Sequence, residues 1–407
     1  MTKRAALLIV CSGSLQACVG VPHGSAMHEV GSREIGRPTG LRYIGTAAQD
    51  APATVDMPMF EVDTTWPRLP NNWVMGDPSS IAVDRHDNVW VLHRPRTVPA
   101  EKKDHAAPPV LEFDKNGKFL QAWGGASDQW EWPDTEHGIY VDYKDNVWIG
   151  GNNPNVQIKV STRSDDMLLK FTSKGKLVRQ IGRRDESHGN KDTTNLHQPA
   201  DVQVVQKTNE AVVADGYGNR RIIVLDADTG AFKRLWGAFG NEPLDPVPAG
   251  RGAPAPPRDL EGPGPQQWGI VHAVRISNDG LVYVADRGNS RVQVFTLDGK
   301  YQTQVFINRK DKNAATACGL ALSSDPQQKY LYVSDFGNGH VWILDRKALR
   351  LLGHFGEQGP EPGNFRNAHH MATDSRGNLY TAEVNPGSRV QKFLFKSVKP
   401  QVAVPSQ

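Results

Sequence analysis

A short pattern recurs along the chain, and few folds can accommodate it. "GLVYVADRGNSRVQVFTLDGK" at 280–300 reads as an alternating apolar strand, a Gly/Asn turn, a second alternating strand and a hairpin of the Asp-Gly type. Variants follow the same plan: "EAVVADGYGNRRIIVLDADTG", "KYLYVSDFGNGHVWILD", "GNLYTAEVNPGSRVQKF" and the divergent early copies "DNVWVLHRPR" and "DNVWIGGNNPN". Upstream of each copy lies another apolar run, beginning at Ile81, Ile139, Val202, Val274, Leu320 and Met371. Six units of about four strands each cannot bury both faces alone and must stack on one another. The expected fold is therefore all-β: a six-bladed β-propeller with four-stranded blades.

The pattern resembles NHL-type repeats. The last unit is one strand short, and "MPMFEVDTTW" upstream of the first unit reads as a strand with no blade of its own. It is expected to supply the outer strand of the last blade, because closure removes an open sheet edge. The propeller then spans 56–398. A Pro/Gly-rich insertion, 241–267, falls between blades three and four and is expected on the face of the candidate site.

The N-terminus reads differently. Lys3 and Arg4 precede a short apolar stretch, Ala5–Val10, which is too short to span a bilayer. Leu15-Gln16-Ala17-Cys18 resembles a bacterial lipoprotein box, so residues 1–18 read as a signal peptide with Cys18 lipidated. Plain secretory cleavage nearby is the alternative. Residues 19–55 read as a polar tether. The chain is then an exported, membrane-anchored lipoprotein facing the periplasm or the cell exterior. Cys11 leaves with the signal and Cys18 carries lipid, so Cys318 stands alone without a disulfide. A net charge of +3, with no Lys/Arg stripe, argues against a nucleic-acid partner. A monomer is expected.

Aligning the blades brings out a candidate site. Two places before each innermost run stand Ser79, His137, Ala200, His272, Cys318 and His369. Equivalent positions form a ring about the central channel, so His from alternate blades point inward at threefold spacing. Three imidazoles suit a tetrahedral metal with an open position, as in catalytic zinc sites; water-bonded channel residues are the bland alternative. At the end of each second strand stand Arg94, Asn152, Tyr217, Arg287, Phe336 and Val384. In an up-and-down blade these reach the same mouth as the His. Two Arg suit a carboxylate, and a Tyr suits acid–base or oxyanion work.

Over residues 56–396 the chain resembles the peptidyl-α-hydroxyglycine α-amidating lyase family. The shared motifs are "VDRHDNVWVLHR", "HGIYVDYKDNVWI", "QPADVQVVQKTNEAVVADGYGNRRI", "VHAVRI" with "VYVADRGNSRVQVF", and "HHMATDSRGNLYTAEV". By resemblance His137, His272 and His369 match its zinc ligands, Tyr217 its catalytic Tyr, and Arg94 and Arg287 its functional Arg. The reaction implied is cleavage of a carbon–nitrogen bond in an α-hydroxyglycine or α-hydroxyamide, giving an amide and glyoxylate (an amidine-lyase type). The substrate would be small and carboxylate-bearing or peptide-like. The family also holds a structural calcium through two carbonyls, matching Ile81 and Ile139, and an Asp that is His370 here. Calcium prefers oxygen, so that second ion is in doubt. Two other readings stand beside the lyase: a metal-dependent hydrolase of lactones or esters, and a non-catalytic propeller that binds envelope components.

Overall fold

Period-two alternation between turn signals yields sheets and almost no helix. In the computed structural model, which describes residues 54–153, 160–245, 260–311, 313 and 315–402, the strands form six four-stranded antiparallel sheets. The innermost strands are Asp77–Val83, Glu136–Val141, Asp201–Val205, Val271–Ile276, Leu320–Leu322 and Ala368–Thr373. Each packs against the innermost strands of both neighbouring blades, and the sixth returns to the first, so the ring closes. Thr54–Asp63 pairs antiparallel with Arg389–Val402 as the outer strand of blade six, as the upstream strand was expected to do. The candidate signal peptide, the lipidation residue and 19–53 of the tether lie outside the described residues, as does 246–259 of the insertion, whereas Thr54 and Val55, read as the end of the tether, already pair in the outer strand. No helix among the described residues is long and apolar enough to cross a membrane.

The core consists of the seams between blades. Alternation sends one face of every strand to each neighbour. In Glu210–Asp215, Ala211 and Val213 pack toward blade two, whereas Val212 and Ala214 pack toward blade four. The final seam joins Ile81, Val89 and Leu111 of blade one to Tyr380, Ala382 and Val390 of blade six. Burial on both faces is why these strands read as nearly continuous apolar runs.

Two polar devices repeat with the blades and explain the shared motifs. At the first hairpin a buried Asp accepts from an aromatic six residues further along, in the next strand. Asp84 Oδ2 takes Trp90 Nε1 (3.0 Å), Asp142 Oδ2 takes Trp148 Nε1 (2.9 Å) and Asp374 Oδ2 takes Tyr380 OH (3.0 Å). At the other end of the second strand a buried acid pairs with an Arg opening the third. The pairs are Asp215–Arg221 (2.9 Å), Asp286–Arg291 (2.8 Å) and Glu383–Arg389 (2.9 Å). These Arg also cap loop carbonyls. Arg291 donates to Pro265 O (2.8 Å), which fastens the described end of the insertion to blade four.

His93 gives the fold a pH dependence. It is fully buried in the second strand of blade one. Its Nε2 donates to Pro108 O (3.0 Å), and its Nδ1 accepts from the Gly76 amide (3.1 Å). Burial lowers its pKa to about 4. The unfolded chain therefore binds this proton first, and the stability tied to a neutral His93 is lost as pH falls from about 6.5 toward 4. In urea unfolding, His93→Gln is expected to lose about 2 kcal/mol less than the parent between pH 7 and pH 4.5. Identical pH profiles would remove His93 from that role.

Candidate metal centre and active site

The three histidines reach the axis because their strands bulge. In blade four the register shifts between Val271 and Ala273, leaving His272 as the extra residue. In blade six it shifts between Ala368 and His370, which frees His369. In blade two the shift between Glu136 and Ile139 spans His137. An unpaired bulge residue is re-aimed out of the sheet. The three rings form a near-equilateral cluster, with centroids 4.9, 4.7 and 4.6 Å apart.

Their protons are placed by the blades in between. His137 Nδ1 lies 2.8 Å from Ala200 O, His272 Nδ1 3.1 Å from Cys318 O, and His369 Nδ1 2.6 Å from Ser79 O. A carbonyl can only accept, so each ring carries its proton on Nδ1 and turns an unprotonated Nε2 toward the axis. Backbone groups orient metal-binding imidazoles in this way. Ser79, Ala200 and Cys318 are the small residues of the intervening blades. They also supply these three carbonyls, which no side-chain pattern could reveal.

His272 Nε2 and His369 Nε2 are 3.1 Å apart. Two lone pairs at that distance repel unless a proton or cation lies between them. Burial, reinforced by the neighbouring imidazoles, holds both rings well below the usual histidine range, which disfavours the proton. A tetrahedral ion with Zn–N bonds of 2.0–2.1 Å would set its nitrogens about 3.3 Å apart. The donor set therefore fits a transition ion such as zinc. Calcium does not fit at Ile81, Ile139 and His370, because His370 brings nitrogen where calcium takes oxygen. The His370 ring stacks on His272 (4.9 Å, 22°), and neither of its buried nitrogens has a hydrogen-bond partner among the described residues.

The second ring of residues converges on the same mouth. Tyr217 OH lies 3.0 Å from His137 Nε2 and accepts from Arg287 Nη1 at 2.9 Å. With Arg287 donating to the phenol oxygen, the phenolic O–H is directed toward the unprotonated Nε2 of His137. The Arg287 guanidinium also lies over the Phe336 ring, 4.7 Å from its centroid. Phe336 stood in the aligned ring without a role; its place after the second strand of blade five was the available signal. Arg94 Nε donates to Glu136 O (2.9 Å), and the guanidinium couples electrostatically to Tyr217. Its remaining N–H groups have no hydrogen bond among the described residues. The mouth thus combines three lone pairs, one phenol and two guanidinium groups, an arrangement suited to an oxyanion and a carboxylate together.

The NHL repeat profile matches residues 271–295, the first three strands of blade four. The chain carries an NHL repeat. This repeat-built propeller is 28% identical to NHL repeat-containing protein 3 of Mus musculus over 295 residues, 70% of each chain. It is 25% identical to peptidyl-alpha-hydroxyglycine alpha-amidating lyase 1 of Drosophila melanogaster over 370 residues, 83% of this chain and 60% of that protein. Its fold matches a protein of unknown function from Bacteroides thetaiotaomicron with a TM-score of 0.51 at 13% identity, covering 84% of this chain and 77% of the other. The chain is thus homologous, at low identity, both to NHL repeat-containing proteins and to amidating lyases.

Proposed function

We propose that this propeller is a zinc-dependent lyase that cleaves the carbon–nitrogen bond of an α-hydroxyglycine-type substrate, releasing an amide and glyoxylate. The observation that carries this reading is the convergence of three unprotonated Nε2 atoms with the Tyr217–Arg287 pair at one mouth. Similarity to the amidating lyases supports it. His137, His272 and His369 would hold the zinc, which as a Lewis acid makes a bound hydroxyl more acidic.

The chain's own groups would do the rest. Arg94 and Arg287 bind the substrate carboxylate and fix the α-carbon. Tyr217, held by Arg287 beside His137, would give or take a proton at an oxygen on the metal side of the site. The hydroxyl O–H breaks, its electrons form the carbonyl of glyoxylate, the C–N bond breaks, and the nitrogen takes up a proton as the amide departs. Nothing is oxidised or reduced.

The test is incubation of zinc-loaded protein with N-benzoyl-α-hydroxyglycine. Benzamide and glyoxylate are expected in equal amounts, at a rate far above the uncatalysed one. Hydrolysis of lactones or esters with no glyoxylate from this substrate would replace the lyase by a hydrolase. Inactivity on both, in a folded protein with little zinc, would favour a binding propeller.

A further inference from the structure

Next to the histidine cluster the channel is crossed by a pair of opposite charges that the proposed chemistry does not use. The residues following the ring positions are Ser80, Gly138, Asp201, Ala273, Gly319 and His370, so only blade three brings an acid. Two positions further along each innermost strand stand Ala82, Tyr140, Gln203, Arg275, Ala321 and Ala372, so only blade four brings a cation. Arg275 Nη1 donates to Asp201 Oδ2 (2.5 Å) and to the carbonyl of Val274 (2.6 Å). Nη2 reaches Met371 O of blade six at 3.5 Å. The Asp201 side chain is 1% exposed and also accepts the Val274 amide (3.1 Å). One guanidinium thus ties blades three, four and six together.

The surroundings place Arg275 on the axis. Arg275 lines a cavity of about 230 Å³ whose walls include Ile81, Ile139, Gln203, Ala321 and Ala372, one element from every blade. Ile81 and Ile139 are the residues whose carbonyls match a calcium site in the lyases this chain resembles. Here the nearby carbonyls of Val274 and Met371 already receive N–H donors, and the nearest carboxylate is already neutralised. A divalent ion beside a buried guanidinium would set like charges within a few ångströms of each other, where they repel strongly in a low-dielectric interior.

We infer that Arg275 is the channel's built-in cation, standing in for a structural calcium, so that this propeller folds and persists without one. The inference does not depend on the lyase reading. Glyoxylate release could fail, and the ion requirement of the fold would still be decided separately.

The experiment measures calcium content and thermal unfolding of the full chain, with zinc supplied, in calcium-depleted buffer and in millimolar calcium. Expected are negligible calcium in the purified protein and a Tm that moves by less than about 1 °C. A genuine structural ion in large excess over its dissociation constant would raise Tm by several degrees. Arg275→Met is expected to lower Tm by more than about 5 °C, because Asp201 is left buried and uncompensated. Calcium should then recover part of the loss. One equivalent of calcium in the parent, or a parent Tm that falls without calcium and returns with it, overturns the inference. So does an Arg275→Met protein as stable as the parent in both buffers. If that variant does not fold, the parent measurements decide alone.

Discussion

His272→Ala is expected to abolish stable metal binding and to lower turnover by at least about 10³-fold, while the propeller still folds. His272 is one of the three proposed ligands and sits 3.1 Å from His369 Nε2, so its loss would leave an incomplete donor set. Loss of Lewis-acid stabilisation worth several kcal/mol accounts for a rate change of that size. The fold should survive because His272 is a bulge residue outside the inter-blade seams; its neighbours Val271 and Ala273 make those contacts instead. Metal analysis, circular dichroism and the glyoxylate assay check the three parts separately. A variant that keeps both its metal and its rate would show that the histidines are ordinary channel residues.

Tyr217→Phe is expected to part from this pattern. The metal should stay, since no ligand is lost. Turnover should fall by about 10²- to 10⁴-fold, the usual contribution of a positioned acid–base group. The missing hydroxyl is the acceptor for Arg287 Nη1 and the neighbour of His137 Nε2. Arg287 keeps its stacking on Phe336, so substrate binding should change less than kcat. A Phe variant with unchanged kcat would make Tyr217 a packing residue of the channel mouth.

Much of this arrangement was legible in the sequence. Alternation and turn residues mark the blades, and a strand without a blade at 57–66 marks the closure, because a propeller must account for every edge. The alternate-blade histidines stood out for the same reason: the repeat supplies its own alignment. What escaped was set by backbone direction. That the carbonyls of Ser79, Ala200 and Cys318 would fix the imidazole tautomers depends on peptide orientation, which side-chain types do not encode. The Asp201–Arg275 pair carried a signal that could have been followed, the one acid and the one arginine among the aligned channel positions. His370 was visible as a departure from a calcium ligand, but its stacking on His272 emerges only once the bulges place both rings.

The metal centre can be tested by a crystal structure of zinc-loaded protein with glyoxylate soaked in, with anomalous data collected at the zinc edge. One anomalous peak is expected on the axis, about 2.0–2.1 Å from the Nε2 atoms of His137, His272 and His369. The glyoxylate carboxylate should lie against Arg94 and Arg287. A zinc peak elsewhere, or none at the three imidazoles in fully loaded protein, would contradict the metal centre and the lyase chemistry built on it.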